Sequence, residues 1–347
     1  MKKIMLCGGG SAGHVMPNMA VYENLKNQFE FCYIGTPAIE KDICRKFGIP
    51  FRTFDGVKLT RGKILCNLKI PFKLIASIGE CKEIIMDEEP DLLICMGGYA
   101  SLPPALAASK LKIPVLTHES DLTPGLANKI ISKKSVKTMT SFQSTARLFK
   151  NGVFVGSPMR SCLFNRNKLE AKHKLGLDLK PAILVFGGGS GSKKINDNLR
   201  KIALELCKDY NILHICGNGN VVENNITGYK QIEFCDDMGL LYAAADYAVA
   251  RCGSNSAHEL IALKIPTLFI PLDNGRSRGD QVQNAEYFKN RGLCRVLKES
   301  ELAPNSLKNA INTLVGDEKL KTALKDNNLG CGNRNIEIEI RNILKSR

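Results

Sequence analysis

Residues 182–191, Ala-Ile-Leu-Val-Phe-Gly-Gly-Gly-Ser-Gly, set an apolar run of strand length against a cluster of glycines, and residues 4–13, Ile-Met-Leu-Cys-Gly-Gly-Gly-Ser-Ala-Gly, have already done so near the start. A helical pattern follows each time. Glycine lets the backbone turn sharply and bring bare N–H groups against a ligand, and a helix that starts just beyond aims its positive end at the same spot. That arrangement suits a phosphate. Two copies predict an α/β protein of two similar domains with a ligand held between them.

Outward from these loops the chain alternates strand and helix patterns. In the first half, strands are expected at 4–7, 29–34, 92–95 and 113–116, and a helix over about Met16 to Asn27 with Pro17 in its first turn. Polar or glycine-rich loops follow the strands: Met96-Gly97-Gly98-Tyr99, then Thr117-His118-Glu119-Ser120-Asp121. Gly156 to Arg160 reads as the crossing between domains. In the second half, strands are expected at 182–186, 211–215, 246–250 and 266–270, and Asp237 is placed to cap a helix. Residues 300–347 read as amphipathic helix. In open α/β sheets the carboxyl ends of the strands are where ligands bind, so these loops are the candidate site.

Composition narrows the function. The chain has 347 residues, 44% of them hydrophobic, enough for two packed domains, and no segment reads as a signal peptide or a membrane span. Its 13 cysteines are scattered and odd in number, which suits buried thiols better than a disulfide framework. A formal charge of +15 points to anionic partners. Tryptophan is absent, aromatics are 6%, and no nucleic-acid module is recognisable, so nucleic acid is not expected. Residues 58–73 carry five basic side chains and no acidic one, interleaved with apolar residues including Ile70 and Phe72. That mixture suits an anionic membrane surface, or equally a solvated loop and a helix with an apolar core side.

Gly8-x-Gly10-x-x-Gly13 matches the dinucleotide fingerprint literally, but the second strand ends Ile34-Gly35-Thr36, without the acid that holds a ribose. The richest stretch follows the strand at 246–250: Arg251-Cys252-Gly253-Ser254-Asn255-Ser256-Ala257-His258-Glu259. Here a glycine and small polar residues can offer donors to phosphates, and Glu259 a carboxylate to a pair of sugar hydroxyls; the alternative is an ordinary helix cap with Glu259 at the surface. Gln281 and Asn284, at the next helix start, could bind sugar hydroxyls. Neither Asp-x-Asp nor HExxH occurs, so no metal site is expected.

Taken together, Gly9-Gly10-Ser11-Ala12-Gly13-His14-Val15, Met96-Gly97-Gly98-Tyr99, His118-Glu119, Pro124-Gly125, Asn128-Lys129, Gly187-Gly188, Phe234 to Met238, Arg251-x-Gly253 with Glu259, and Gln281 with Asn284-Ala285 resemble the MurG family over nearly the whole chain. The resemblance implies two Rossmann-like domains facing a cleft, the GT-B architecture. They would span 1–157 for the acceptor and membrane and 158–332 for the UDP-sugar, with a helix at about 333–347 packing back on the first. It implies inverting transfer of N-acetylglucosamine from UDP-N-acetylglucosamine to the 4-hydroxyl of undecaprenyl-pyrophosphoryl-N-acetylmuramyl-pentapeptide. This chemistry needs no metal and no cofactor, and it belongs at the cytoplasmic face of the cell membrane, bound peripherally to its anionic inner leaflet.

By the same resemblance Phe234 lies on the uracil, the Cys235 backbone pairs with it, and Glu259 takes the ribose. Ser254, Asn255 and Ser256 serve the diphosphate and sugar, Gln281 and Asn284 the sugar, and Arg160 the nucleotide. Gly189 and Ser190 belong to the donor side, which Ser11, Ala12 and Gly13 also adjoin. Gly10, Ser11, Gly13, His14, Gly97, Gly98 and Tyr99 hold the acceptor diphosphate. The catalytic base is left open among His14, Glu119 and Asp121. The chain departs from the family pattern where Gly189 replaces a serine with Ser190 next, where Ser120-Asp121 replace Gln-Asn, and where Ala12 replaces a glycine. The competing readings are transfer to another lipid such as diacylglycerol, epimerisation of a sugar nucleotide, and a non-catalytic binding module.

Overall fold

The computed structural model describes residues 1–56, 70–273 and 279–345. They divide into two compact units, one of Met1–Ser161 with Cys331–Arg347 and one of Cys162–Gly330. Each is a wholly parallel sheet among helices. In the first unit β1 (Lys3–Cys7), β2 (Glu30–Gly35), β3 (Phe51–Thr53), β4 (Leu92–Cys95), β5 (Val115–Glu119), β6 (Lys137–Thr140) and β7 (Gly152–Phe154) lie in the order β3-β2-β1-β4-β5-β6-β7. In the second, β8 (Ala182–Phe186), β9 (Asn211–Ile215), β10 (Tyr229–Ile232), β11 (Tyr247–Ala250), β12 (Thr267–Phe269) and β13 (Arg295–Val296) lie in the order β10-β9-β8-β11-β12-β13.

Both orders reverse once, between β1 and β4 and between β8 and β11. Such a switch point leaves a crevice at the carboxyl ends of the two central strands, because their connections leave in opposite directions. The two glycine loops, Met96 to Gly98 and Arg251 to Gly253 all lie there. The central strands are buried on both faces, which explains their unbroken apolar runs. On β1, Ile4 and Leu6 join one core with Val15, Met19 and Leu25, while Met5 and Cys7 join another with Ile84, Ile85 and Ala108. The helix Asn333–Lys345 puts Ile336, Ile340, Ile343 and Leu344 into the first of these.

Two local expectations need correction. The first helix runs Ala12–Leu25, so Pro17 lies inside it instead of in its first turn. Pro17 cannot donate to the Gly13 carbonyl one turn back, but buried Val15, Pro17, Met19 and Ala20 hold the helix on the sheet. β5 continues through Thr117, His118 and Glu119, which pair with Thr138, Met139 and Thr140 of β6. These polar residues are strand, not loop, because each side chain finds a partner inside.

Candidate active site

In the first unit β1 ends in Gly8, Gly9 and Gly10, and Ser11 is the extended residue before the helix Ala12–Leu25. Asn18 of that helix donates to the Cys7 carbonyl at 3.0 Å and to the Tyr33 hydroxyl at 3.1 Å, and Tyr33 donates to the Gly8 carbonyl at 2.6 Å. Beneath the loop lies Glu40, fully buried, accepting from the Gly10 amide at 3.3 Å, the Thr36 amide at 3.1 Å and the Thr36 hydroxyl. The loop is packed tightly. Gly10 has φ +83°, and a Cβ there would lie 2.5 Å from the Tyr99 ring.

His14 projects from the first turn against the loop after β4. Its Nδ1 is 3.0 Å from the Met96 carbonyl oxygen, and a Cβ on Gly98 would lie 2.9 Å from its ring. A carbonyl can only accept, so Nδ1 carries the proton and the basic lone pair of the neutral ring is on Nε2. Gly97 and Gly98 have φ +81° and +80°, and a Cβ on Gly98 would come within 2.4 Å of the Gly9 carbonyl oxygen. The structure thus brings together Gly10, His14, Gly97, Gly98 and Tyr99, with Ser11 and Gly13 exposed and Ala12 partly so.

Glu119 is engaged by the turn that follows β5. It is buried, with Oε1 accepting from the Asp121 amide at 3.0 Å and Oε2 from the Gly125 amide at 2.8 Å and Asn128 Nδ2 at 3.0 Å. A carboxylate so engaged shapes the turn 120–125. Asp121 is half-buried at the rim of that turn. His118 is a core histidine, with Nε2 at 3.1 Å from the Gly156 carbonyl oxygen.

In the second unit β8 enters Gly187 to Ser192, and Ser192 caps the helix Lys193–Leu206 by accepting from the Ile195 amide. Gly191, with φ +73°, has no room for a Cβ, which would meet the Cys216 carbonyl at 1.9 Å. Gly188, Gly189 and Gly253 face open space, and Ser190 is exposed. Arg251, buried after β11, donates to the Ile270 carbonyl at 3.0 Å and the Ser192 hydroxyl at 2.9 Å, and pairs with buried Glu299. Burial raises the Glu299 carboxyl, but the Arg251 bond and charge outweigh it and hold the carboxyl below its usual range. This pair ties the glycine loop to the loops after β11 and β12.

The helix Ser254–Ala262 begins at Gly253 with no side-chain cap from that residue, and the positive end of its dipole lies at the loop after β11. Ser254 is buried, with its hydroxyl 3.3 Å from His258 Nδ1, while Asn255 and Ser256 are half-exposed. Glu259 is half-buried and accepts at Oε2 from the Tyr242 hydroxyl at 2.8 Å. Phe234 is 51% exposed beside half-buried Cys235, and Asp237 caps the following helix through the Leu240 amide.

Three expected ligands already have protein partners. Asn284 is fully buried and donates to the Cys252 carbonyl at 3.5 Å, which ties it to the loop after β11. Gln281 is half-exposed, and its amide oxygen takes the Leu272 amide at 2.9 Å. Arg160 belongs to the first unit, paired with Glu23 at 3.2 Å and lying over the Phe47 ring. Among the described residues no group of three or more His, Cys, Asp and Glu side chains is placed to hold a metal ion, and every cysteine is a free thiol.

Comparison with known proteins gives this geometry a family. Residues 4–140 match the glycosyltransferase family 28 N-terminal domain and 182–337 its C-terminal domain. A Clostridium botulinum (strain Alaska E43 / Type E3) protein named UDP-N-acetylglucosamine–N-acetylmuramyl-(pentapeptide) pyrophosphoryl-undecaprenol N-acetylglucosamine transferase is 41% identical, over 99% of this chain and 98% of its own. The chain belongs to the MurG family. A Lachnospira eligens protein of the same name is 41% identical over 91% of this chain and 92% of its own. The crystal structure of Acinetobacter baumannii MurG shares the fold, with a TM-score of 0.76 at 23% identity over 99% of this chain and 100% of that one.

In this MurG-family chain the sequence did not single out Glu40, Tyr242 or the Arg251–Glu299 pair. Glu40 and Tyr242 look like ordinary members of amphipathic helices, and only the fold brings them beneath a glycine loop and beside Glu259. Buried carboxylates at positions 40 and 299 leave a sequence trace only if a partner can be named in advance, and their partners are far along the chain.

Proposed function

We infer that the chain is an inverting N-acetylglucosaminyltransferase that moves N-acetylglucosamine from UDP-N-acetylglucosamine to the 4-hydroxyl of undecaprenyl-pyrophosphoryl-N-acetylmuramyl-pentapeptide, a step of peptidoglycan synthesis. The observation that carries this reading is 41% identity to a transferase of that name across 99% of the chain, including every loop at the two switch points.

The first unit is the acceptor side and the second the donor side. The acceptor hydroxyl attacks the anomeric carbon from the face opposite UDP, the bond to the diphosphate breaks, and the hydroxyl proton passes to a base. His14 Nε2 is that base, since Nδ1 is occupied by the Met96 carbonyl and the bonds of Glu119 are spent on its turn. The amides of Gly188 and Gly189 and of the first turn after Gly253 serve the departing diphosphate, where the helix dipole favours developing negative charge. Phe234 stacks on the uracil and Glu259 binds the ribose.

The lipid acceptor places the protein peripherally on the anionic inner leaflet, at the cytoplasmic face of the cell membrane. Phe72, 77% exposed, and Ile75, 68% exposed, near the start of the helix Ile70–Glu88 support a membrane-facing role. Most of the basic and apolar stretch 58–73 lies outside the described residues. Among the described residues no helix is long and apolar enough to cross a membrane.

The test is incubation with UDP-N-acetylglucosamine and the muramyl-pentapeptide lipid in anionic vesicles, following UDP and the glycolipid. Equal amounts of UDP and disaccharide lipid are expected. UDP without a glycolipid would mean hydrolysis, a new sugar nucleotide without UDP would mean epimerisation, and turnover only with diacylglycerol would reassign the acceptor.

A further inference from the structure

Tyr242 touches two parts of the proposed donor site and lies on the helix that follows a third. It lies on the helix Met238–Ala244, directly after the segment Phe234 to Asp237, and is 3% exposed. Its ring packs edge-on against Phe186, the last residue of β8 before the glycine loop, at 6.3 Å between centroids. Its hydroxyl donates to Glu259 Oε2 at 2.8 Å.

A half-exposed glutamate on a helix has many rotamers, and a ligand that needs one of them must freeze the rest. A buried phenol fixed by its ring makes that selection before the ligand arrives. We propose that Tyr242 is a positioning residue for nucleotide recognition: it holds the Glu259 carboxylate in the orientation that binds the ribose hydroxyls and keys it to the glycine loop through Phe186. The proposal rests on the reading of Glu259 as the ribose ligand. Burial, and then the Glu259 charge, push the Tyr242 phenol well above its ordinary range, so the hydroxyl remains a donor throughout the working pH range. A purely structural tyrosine would be a core aromatic whose hydroxyl only satisfies a neighbour.

Tyr242→Phe removes one oxygen and keeps the ring, so packing against Phe186 is retained. Calorimetry with UDP and with 2′,3′-dideoxy-UDP should be run on the full chain, on Tyr242→Phe, on Glu259→Ala and on the double variant, each checked by thermal melting. Tyr242→Phe should weaken UDP binding about three- to tenfold and narrow the preference for UDP over the dideoxy nucleotide by a similar factor. The donor KM should rise with kcat within about twofold. In the Glu259→Ala background the same change should have no effect on UDP affinity, because the group it positions is gone. If Glu259→Ala weakens UDP binding but Tyr242→Phe leaves it within twofold, or acts equally in both backgrounds, the positioning role is wrong and the ribose reading stands. If Glu259→Ala itself leaves UDP affinity and the preference unchanged, the ribose reading fails and the proposal falls with it.

Discussion

The two glycine loops look alike in sequence and are built for different tasks. Around Gly8 to Gly10 the space is already filled: a Cβ on Gly9 would lie 2.4 Å from Glu40 Oε1, one on Gly10 would strike Tyr99, and Gly98 presses on the Gly9 carbonyl. Around Gly187 to Gly191 only the ends are crowded, by Ser192 and the Cys216 carbonyl, while Gly188 and Gly189 have nothing within 4 Å. Glycines of the first loop therefore serve the packing of one loop on another, which sets His14 in place. The middle glycines of the second leave room for a ligand. A glycine-rich turn after a strand signals a site in both, but which atoms the missing side chains make way for differs.

The largest expected effect tests what the first loop is packed to hold. His14→Ala should reduce turnover by about 10²- to 10⁴-fold if Nε2 takes the hydroxyl proton. UDP affinity by calorimetry should stay within about twofold, because the residue serves the acceptor unit. A loss of UDP binding on the scale of the loss of turnover would break the division of labour between the loops. A loss of turnover below tenfold would make His14 a diphosphate-positioning residue.

Much of this was legible in the sequence because glycine punctuates buried parallel strands. Apolar runs at 4–7, 92–95, 182–186 and 211–215 end where the chain must turn, and the structure has strands there. Where side chains were polar the reading failed. Thr117, His118 and Glu119 were read as loop because their burial depends on β6 and the turn at Gly125, which lie elsewhere in the sequence. Asn284 shows why an amide is hard to assign from sequence, since it can satisfy a backbone carbonyl as readily as a sugar hydroxyl. Glu40 and Tyr242 act through contacts that local periodicity cannot report.

A smaller effect concerns the backbone of the first loop. Gly10→Ala forces an L side chain into φ +83° and against the Tyr99 ring, a cost of about 1–3 kcal/mol. The melting transition of the first unit should fall by about 2–10 °C, and the acceptor KM should rise as Tyr99 is displaced. An unchanged melting curve would mean that the loop yields, and the contrast between a packed loop and an open one would lose its physical basis.

The smallest effect sharpens the other side. Gly189 stands where the MurG family pattern has serine; its backbone is not in the left-handed region, and an added Cβ meets nothing. Gly189→Ser should therefore shift the melting temperature by no more than about 2 °C, the behaviour of a surface substitution that touches no packed group. The change should show in binding. A hydroxyl placed over the open part of the loop can donate to a phosphate oxygen, and one charge-assisted bond, less the cost of fixing the side chain, corresponds to UDP affinity about three- to tenfold tighter. Uridine, which lacks the diphosphate, should bind as before, so the ratio of the two affinities isolates the phosphate contact from any general change in the site. Weaker UDP binding with an unchanged melting curve would mean that the ligand already fills the space and that Gly189 is needed for its close approach. A fall in stability like that of Gly10→Ala would show the two loops to be packed alike and would end the comparison.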